Sequence, residues 1–268
     1  MSLTESRIRA ALSSETGGPW TAPIVAHPET GSTSDDAKAL AREGCAEGTL
    51  VVADAQTKGR GRSGAAWHSP PRENAYLSLV LRPALTPRAV APLTLVVGLV
   101  VRDVVGARVE APVRVKWPND VFVRDRKLAG ILVEGQIRGD ALASVVIGVG
   151  VNVATRSFPP PLDELATSLA IEEARDLDRA SLVAEIVVGI RTSTERFVRD
   201  GLAAFADRVA AHDLLRGREI AVGSVRGTAC GIDALGRLLV ERADGSVEAI
   251  VSGHVDLAPG RAAAEHKK

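Results

Sequence analysis

The spacing of hydrophobic residues changes several times along the chain, and each change predicts a different element. In residues 32–44, hydroxyl residues precede two acids and then alanine and leucine, which predicts a short helix that ends before Gly44. The apolar runs "TLVVADAQ" and "NAYLSLVLRP" predict buried strands on either side of a polar connection. "APLTLVVGLVVRDVVG" predicts a buried helix, although its valines leave a strand open as the alternative.

The second half of the chain has the clearest sheet signal. Residues 113–153 are rich in β-branched side chains and are interrupted by polar turns, which predicts a run of antiparallel strands in one sheet. Residues 178–213 change to helical spacing and predict helices that pack against that sheet. From residue 216 onward, short alternating strands separated by glycine turns predict a small β-barrel.

These elements predict an α+β fold in two parts. Residues 1–215 are predicted to form a mixed sheet flanked by helices. Residues 216–260 are predicted to form the small β-barrel, and residues 261–268 are predicted to be a tail.

The composition narrows the class of protein. A hydrophobic content of 46% over 268 residues is ample for a buried core. Lys plus Arg number 33 and Asp plus Glu also number 33, so there is no basic excess of the kind that drives binding to long nucleic acid. The N-terminus does not resemble a signal peptide, and charges interrupt the apolar segments before they reach about 18 residues. We therefore expect a soluble cytoplasmic protein without membrane or DNA binding.

Several familiar chemistries are excluded by their missing motifs. The chain has neither a GxxxxGK[ST] phosphate loop nor a GxSxG nucleophile elbow. Its two cysteines, Cys45 and Cys230, lie far apart and do not have the spacing of metal ligands. We expect a reducing compartment and no structural metal.

The connection "DAQTKGRGRSGAAWHSP" lies between two predicted strands. Its glycines allow the backbone to approach a ligand, and Arg60 and Arg62 carry planar donor groups that suit a carboxylate or a phosphate. A solvated mobile loop would show the same pattern. Gln56 before the arginines and Trp67 after them place a donor and an aromatic face nearby, which favours a binding loop.

A second candidate is "KWPND", at the end of an apolar strand. Lysines at strand ends usually extend to solvent without a function. Here Asn119 and Asp120 add an amide and a carboxylate beside the Lys116 ammonium. This set can hold a polar ligand or a hydrated Mg²⁺, so we favour a binding site.

Two glycine-containing stretches complete the candidates. In "GVGVNV", alternating glycines weaken a strand unless a ligand lies on its backbone, where Asn152 could contact it; a bulge is the competing interpretation. In "GSTS", the hydroxyls could serve only to cap the predicted helix. The start of a helix is also a natural site for a polar or anionic group.

Together these stretches resemble the biotin protein ligases, enzymes that attach biotin to a lysine of a carrier domain. The resemblance runs from about residue 31 to residue 257, in the family's order: "GSTS", "QTKGRGRSGAAW", "KWPND", "KLAGILVE", "GVGVNV" and the small β-domain. Five motifs in this order are far more specific than any one of them. The resemblance implies a catalytic domain related to class II aminoacyl-tRNA synthetases, followed by an SH3-like β-barrel.

The resemblance also implies roles for individual residues. Biotin would be bound by Ser32, Thr33, Ser34, Gln56, Arg60, Gly61, Arg62, Lys116 and Gly130. The nucleotide would be bound by Arg62, Trp67, Lys116, Asn119 and Asn152. Lys116 and Arg62 would be the catalytic residues, and Asp120 is the candidate Mg²⁺ ligand.

The implied reaction joins biotin and Mg-ATP into biotinyl-AMP and then transfers biotin to a lysine of a biotin carboxyl carrier domain. The chain departs from the family pattern at Ser34, where members often carry asparagine, and at Ser63 and Ala65, where members carry basic residues. These departures put in doubt how tightly the adenylate is held. About 30 residues precede "GSTS", too few for the DNA-binding domain of some members.

Two alternatives remain at this point. A lipoate protein ligase would share the fold and the adenylation chemistry, but it has a different arginine-glycine pattern. A non-catalytic regulator that binds biotin or its adenylate would need fewer cations than Lys116 and the two loop arginines supply. The oligomeric state stays open between a monomer and a homodimer.

Overall fold

The computed structural model describes residues 1–257, so the predicted tail, residues 261–268, lies outside the described part. The helices are α1 (Glu5–Thr16), α2 (Thr33–Arg42), α3 (Val90–Gly106), α4 (Leu162–Leu165), α5 (Arg179–Asp200) and α6 (Ala206–His212). The strands of a first sheet are β1 (Ile24–His27), β2 (Leu50–Ala53), β3 (Ala75–Leu81), β4 (Val113–Lys116), β5 (Asp120–Val123), β6 (Arg126–Arg138) and β7 (Ala141–Val151). Those of a second sheet are β8 (Glu219–Val222), β9 (Val225–Ile232), β10 (Leu238–Glu241), β11 (Val247–Ile250) and β12 (Asp256–Leu257).

The first sheet is mixed, as predicted. Its strands lie in the order β1-β2-β3-β7-β6-β5-β4, with β1 parallel to β2 and every other neighbouring pair antiparallel. The run of strands predicted for residues 113–153 is confirmed as β4 to β7. Gly139, with φ of 59°, provides the left-handed residue in the turn between β6 and β7.

Helices cover both faces of this sheet. α3, α5 and α1 pack on one face over the main core, and α2 packs on the other over a small cluster. Successive residues of β2 point to opposite faces, so Leu50 and Val52 join the main core while Val51 joins the cluster under α2. Because both faces are buried, the central strands read as continuous apolar runs in the sequence.

α3 is the buried helix that the sequence predicted, and the strand alternative is wrong. The helical stretch Pro87–Gly106, which contains α3, is long and apolar enough to cross a membrane, but 61% of its most apolar part is buried inside the fold. Gly98 allows a strand residue to approach, because a Cβ built there would lie 3.2 Å from Val115 Cγ1. α3 is therefore a core helix that joins the sheet to α5.

The C-terminal sheet is antiparallel, in the order β11-β10-β9-β8-β12. The predicted closed barrel is not confirmed, because no pairing within residues 1–257 joins β11 to β12. Alternating sequence patterns locate strands and turns, whereas closure depends on pairing between the first and last strands. The division at residue 215/216 stays a prediction.

One buried guanidinium anchors both ends of the connection between β2 and β3. Asp54 Oδ1 accepts hydrogen bonds from Arg179 Nη2 at 2.8 Å and from the Leu3 backbone at 3.1 Å. The side chains of Arg179 and Asp54 are only 5% and 6% exposed. Arg179 Nη1 also donates to the Asn74 carbonyl, just before β3. Both ends of this connection are therefore held against the first residue of α5.

Candidate active site

A cavity of about 210 Å³ lies where the start of α2, the connection after β2 and strands β6 and β7 meet. We call it the main cavity. It brings together most of the predicted site residues: Ser32, Thr33, Ser34, Gln56, Arg60, Gly61, Arg62, Trp67, Asn119, Asp120 and Gly130.

A second cavity of about 480 Å³ lies between the first sheet and the C-terminal sheet, and we call it the seam cavity. Its wall includes Lys116 at the end of β4, Trp117 just after it, and residues 252–255 from the connection between β11 and β12. Arg62, Asn119 and Asp120 line both cavities. The two cavities therefore share a wall, and a ligand of two parts could occupy both.

Uncharged polar side chains form the inner end of the main cavity. Ser34 Oγ and Ser78 Oγ lie 3.1 Å apart, and Ser78 donates to Thr33 Oγ1 at 2.9 Å. Thr33 donates from both its backbone and its hydroxyl to Gln56 Oε1, at 2.9 and 3.1 Å. Thr33, Ser34 and Gln56 line the cavity, and the fully buried Ser78 supports them; these uncharged donors and acceptors suit a neutral polar ligand.

Glycines create the room for this polar end. A Cβ built on Gly148 would lie 2.6 Å from Ser34 Oγ, so the strand position facing Ser34 must lack a side chain. Ser32 is the N-cap residue of α2, but its side chain makes no capping hydrogen bond. The capping function considered for "GSTS" is therefore not observed at Ser32, while Thr33 and Ser34 line the cavity.

Arg60 lies in the wall of the main cavity within an ionic cluster. Its guanidinium contacts Asp35 Oδ1 at 2.5 Å and Glu134 Oε2 at 3.3 Å, and Lys38 contacts the same two carboxylates. Partial burial opposes ionisation of Asp35, but hydrogen bonds from Arg60 and Lys38 outweigh it and lower the pKa of Asp35. The cluster ties the arginine-glycine connection to α2 and β6.

Trp67 lies flat against two glycines of neighbouring strands. Gly130 and Gly150 are paired across β6 and β7. A Cβ on Gly150 would lie 2.6 Å from the indole Nε1, and one on Gly130 would lie 2.9 Å from the ring. Lys127 Nζ is 5.2 Å from the ring centre, within the range of a cation–π contact. The alternating glycines thus let an aromatic ring lie on the strand, in place of the bulge considered from sequence.

Lys116 brings a partly buried ammonium to the seam cavity. Burial lowers its pKa, and Lys127 acts in the same direction, while Asp120 and Asp256 oppose them. The Asp120 carboxylate lies 2.7 Å from Lys127 Nζ. This part of the site is therefore cationic, in contrast to the uncharged inner end of the main cavity.

The two predicted asparagines have different positions. Asn119 lines both cavities, and its Nδ2 donates to the Ile131 carbonyl at 2.9 Å. Asn152 is 4% exposed, lies outside both cavity walls, and donates to the Thr167 carbonyl at 2.9 Å. The nucleotide contact of Asn152 stays a prediction, and in this structure its amide holds the segment after β7.

Comparison with known proteins decides the family. The sequence model of the Biotin/lipoate A/B protein ligase family matches residues 30–152, and that of the Biotin protein ligase C terminal domain matches residues 217–257. The Bifunctional ligase/repressor BirA of Bacillus spizizenii is 34% identical over 261 residues, which cover 95% of this chain and 79% of that protein. The chain belongs to the biotin protein ligase family.

Other relatives and solved structures agree with this assignment. The Biotin--[acetyl-CoA-carboxylase] ligase of Mycobacterium tuberculosis is 41% identical over 146 residues, covering 53% of this chain and 52% of that one. The biotin protein ligase from Aquifex aeolicus in complex with biotin and ATP superposes with a TM-score of 0.75 at 29% identity, covering 89% of this chain and 99% of that one. The ligase from Leishmania major in complex with biotinyl-5-AMP gives a TM-score of 0.58 at 28% identity, covering 86% and 99%.

Several residues in or next to the two cavities were not predicted from sequence. Ser78, fully buried beside the main cavity and bonded to Thr33, is a single hydroxyl in the apolar run "AYLSLVL", and this exception was the signal that could have located it. Asp35 and Glu134, which bind Arg60, lie 25 and 74 residues away from it along the chain. His254 lines both cavities from the connection between β11 and β12, and no sequence pattern marks it.

Proposed function

We infer that the chain catalyses the ATP-dependent attachment of biotin to a protein lysine, the activity for which its family is named. In the first step the biotin carboxylate attacks the α-phosphate of ATP, which gives biotinyl-AMP and pyrophosphate. In the second step a lysine amine of a biotin carboxyl carrier domain attacks the acyl carbon, which releases AMP and a proton. We further propose that the main and seam cavities hold the reactants of both steps.

The observation that carries this proposal is the contrast between the two ends of the site. Biotin has a neutral cyclic urea at one end and a carboxylate at the other. Thr33, Ser34 and Gln56 in the wall of the main cavity supply uncharged donors and acceptors that match the urea, while Lys116 supplies a cation in the seam cavity. A ligand with one neutral polar end and one anionic end therefore fits the site in a single orientation.

The same polar end argues against the lipoate alternative. The dithiolane ring of lipoate carries no hydrogen-bonding group, so Thr33, Ser34 and Gln56 would lose cavity water to a ring that offers them no hydrogen bond in return. Such uncompensated desolvation of polar groups disfavours binding, whereas the urea of biotin can replace the lost water. The C-terminal match and the names of the relatives also favour biotin over lipoate.

The cations of the site suit the first chemical step. A carboxylate must approach a polyphosphate, and their repulsion has to be offset where charge develops in the transition state. Lys116 and Arg62 line the seam cavity, and Arg62 also lines the main cavity, so they are positioned to contact both reactants. We assign them the catalytic roles, and we assign Arg60 to holding the connection beside biotin.

The nucleotide would lie beside Trp67 and Asn119. An indole that rests on two glycines presents a flat face on which a purine can stack. Gly61, in the adjoining glycine-rich connection, also lines the main cavity, and a glycine backbone can approach a ligand closely. Trp67 is therefore our candidate for the adenine contact.

Mg²⁺ is proposed to enter with the nucleotide. Within residues 1–257 there is no group of three or more His, Cys, Asp or Glu side chains that could hold a metal ion. Asp120 is a single carboxylate beside Lys127, which fits a cation whose other ligands are phosphate oxygens and water. When bound, Mg²⁺ would neutralise phosphate charge, and Asp120 would orient it.

Two finer features of the fold are proposed from its family. We propose that the first part is related to class II aminoacyl-tRNA synthetases, and that the C-terminal sheet is the open form of an SH3-like barrel. A soluble cytoplasmic enzyme is expected, because its carrier protein and ATP are there. A monomer or a homodimer is compatible with this chemistry.

Biotin-dependent exchange of radiolabelled pyrophosphate into ATP tests the proposed function. We expect exchange with biotin and none with lipoate or without an acid. Exchange supported only by lipoate would establish a lipoate ligase, and no exchange with either acid would favour a binding protein without catalytic activity.

We predict that the connection becomes protected when ligands bind. Biotinyl-AMP is prone to hydrolysis, so the site must exclude water until the carrier arrives. Hydrogen exchange across residues 59–67 should slow on addition of biotin and ATP, whereas the hairpin turn at residues 138–141 should be unaffected. Unchanged exchange in residues 59–67 would contradict a closing loop.

We predict that Arg62→Ala weakens retention of the adenylate. The loss of a charged hydrogen bond to the phosphate should speed release about 10- to 100-fold. Release is measured by trapping free biotinyl-AMP after a single turnover. Arg88→Ala, which removes an exposed arginine far from both cavities, is the control and should retain the adenylate normally. Equal release from the two variants would remove Arg62 from this role.

A further inference from the structure

We propose that the C-terminal sheet positions Lys116 for adenylation, with Trp117 as a positioning residue; this rests on the proposed function. Lys116, the last residue of β4, and Trp117, which follows it, donate to backbone carbonyls in two of the connections between strands of that sheet. Lys116 Nζ donates to the Val255 carbonyl at 2.9 Å, and Trp117 Nε1 donates to the Gly236 carbonyl at 2.9 Å. These bonds span 139 and 119 residues of the chain.

The first bond fixes the direction of the ammonium group. A lysine side chain is flexible and carries three N–H donors. One of them is directed at the Val255 carbonyl, and the ammonium also lies 5.4 Å from the centre of the Phe122 ring. Two donors are left for the biotin carboxylate and the α-phosphate. The C-terminal sheet therefore reduces the number of orientations that Lys116 must search.

The second bond fixes the backbone from which Lys116 extends. Trp117 is 2% exposed, so its indole N–H would be desolvated without a partner if the Gly236 carbonyl moved. Gly236 has φ of 77°, and a Cβ there would lie 3.0 Å from Pro92 Cβ, so this turn fits closely against α3. The carbonyl that receives the indole is thus held by the core of the first sheet.

The burial of the C-terminal residues supports the same conclusion. Val255 is 2% exposed, and Gly253 approaches β8 so closely that a Cβ would lie 2.4 Å from Val222 Cγ1. The carbonyl that binds Lys116 is therefore set by packing within the C-terminal sheet. Displacement of this segment should redirect the ammonium while leaving the walls that the first sheet and the connection after β2 contribute to the cavities in place.

The first experiment compares two tryptophan substitutions by biotin-dependent pyrophosphate exchange. Trp117→Phe keeps an aromatic ring and removes the donor to Gly236. It should lower kcat about 10- to 100-fold, because small displacements of a catalytic group have effects of this size, while KM for biotin stays within about twofold. Trp20→Phe is the matched control: Trp20 is also buried, but its Nε1 has no partner within residues 1–257. It should keep normal kcat and KM.

A double-mutant cycle separates positioning from general damage to the fold. If Trp117 acts through Lys116, Trp117→Phe should change the single-turnover adenylation rate by less than about twofold when Lys116 is already alanine. Loss of stability or distortion of another part of the site would lower the rate equally in both backgrounds. Active-site titration with biotin and ATP corrects each rate for the folded fraction.

A second variant, Gly253→Ala, acts on the Val255 carbonyl, so it tests the proposal even if Trp117→Phe does not fold. Gly253→Ala introduces the contact with Val222 and should displace residues 253–255. Gly223→Ala is its control, because Gly223 also has a positive φ, of 58°, but a Cβ there meets nothing within 4 Å. Only Gly253→Ala should lower kcat, and only when Lys116 is present.

The proposal is supported if Trp117→Phe and Gly253→Ala both lower kcat and if this loss disappears in the Lys116→Ala background. Equal losses in both backgrounds, or normal kcat for both variants, would overturn it. If the unmodified chain shows no biotin-dependent exchange, the proposed function itself is overturned. This failure is distinguishable because it is measured on the unmodified chain and needs no variant.

Discussion

Replacing Lys116 by alanine should lower the single-turnover rate of biotin adenylation about 10²- to 10³-fold, the range found when one stabilising donor is removed from a transition state. The physical reason is that the carboxylate and the polyphosphate repel each other most strongly as their oxygens meet at phosphorus. Lys116 lies in the seam cavity, where its ammonium can contact both. Binding of biotin should change less than the rate, because Thr33 and Gln56, which we propose to bind the other end of the ligand, are unaltered.

The pH dependence gives an independent check on this role. Burial lowers the pKa of Lys116, so its ammonium should lose the proton at a lower pH than an exposed lysine does. The adenylation rate should fall over the same alkaline range. Lys116→Ala should lack this alkaline limb. Lys58→Ala removes an exposed lysine of the same connection and is the control. Adenylation at the normal rate in Lys116→Ala would exclude Lys116 from catalysis.

Replacing Asp54 by alanine should lower the free energy of unfolding by about 3–5 kcal/mol, because it leaves the Arg179 charge buried without its partner. Asp54 and Arg179 are almost fully buried and are joined at 2.8 Å. The same substitution removes the acceptor of the Leu3 backbone N–H. Urea unfolding measures the change, provided that the m value stays constant.

Two comparisons make the Asp54 result specific. Glu110→Ala breaks the ion pair with Arg175 at the surface, where both side chains are more than three-quarters exposed, and should cost about 1 kcal/mol or less. Asp54→Asn keeps an acceptor and should be less destabilising than Asp54→Ala. A cost for Asp54→Ala as small as that for Glu110→Ala would show that Arg179 is satisfied in another way.

The elements of the fold were largely predictable because they depend on local patterns. α2, α3 and the strands from β4 to β7 follow from the spacing of apolar residues and from turn residues within a few positions. The β-barrel was not confirmed, because closure requires β11 and β12 to pair and neither the turns nor the alternation encode that pairing.

The sequence predicted most of the residues that line the main cavity, but not their contacts. "GSTS", the arginine-glycine connection and "KLAG" supplied most of the main cavity, because each motif is short and its residue types are unusual for its position. The partners of Arg60 were missed, since an arginine among glycines gives no indication of which acids it meets. Ser78 was missed because it lies inside a strand that otherwise reads as core.

By itself, the sequence determined the order of the elements, the family motifs and the residue types available for carboxylate and phosphate chemistry. These features are local, since each needs only a few neighbouring residues. The tertiary structure decided which groups are free to act: it pairs Arg60 with Asp35, withdraws Asn152 from the cavities and directs Lys116 to the Val255 carbonyl. Those contacts join positions up to 139 residues apart, and a linear pattern cannot specify them.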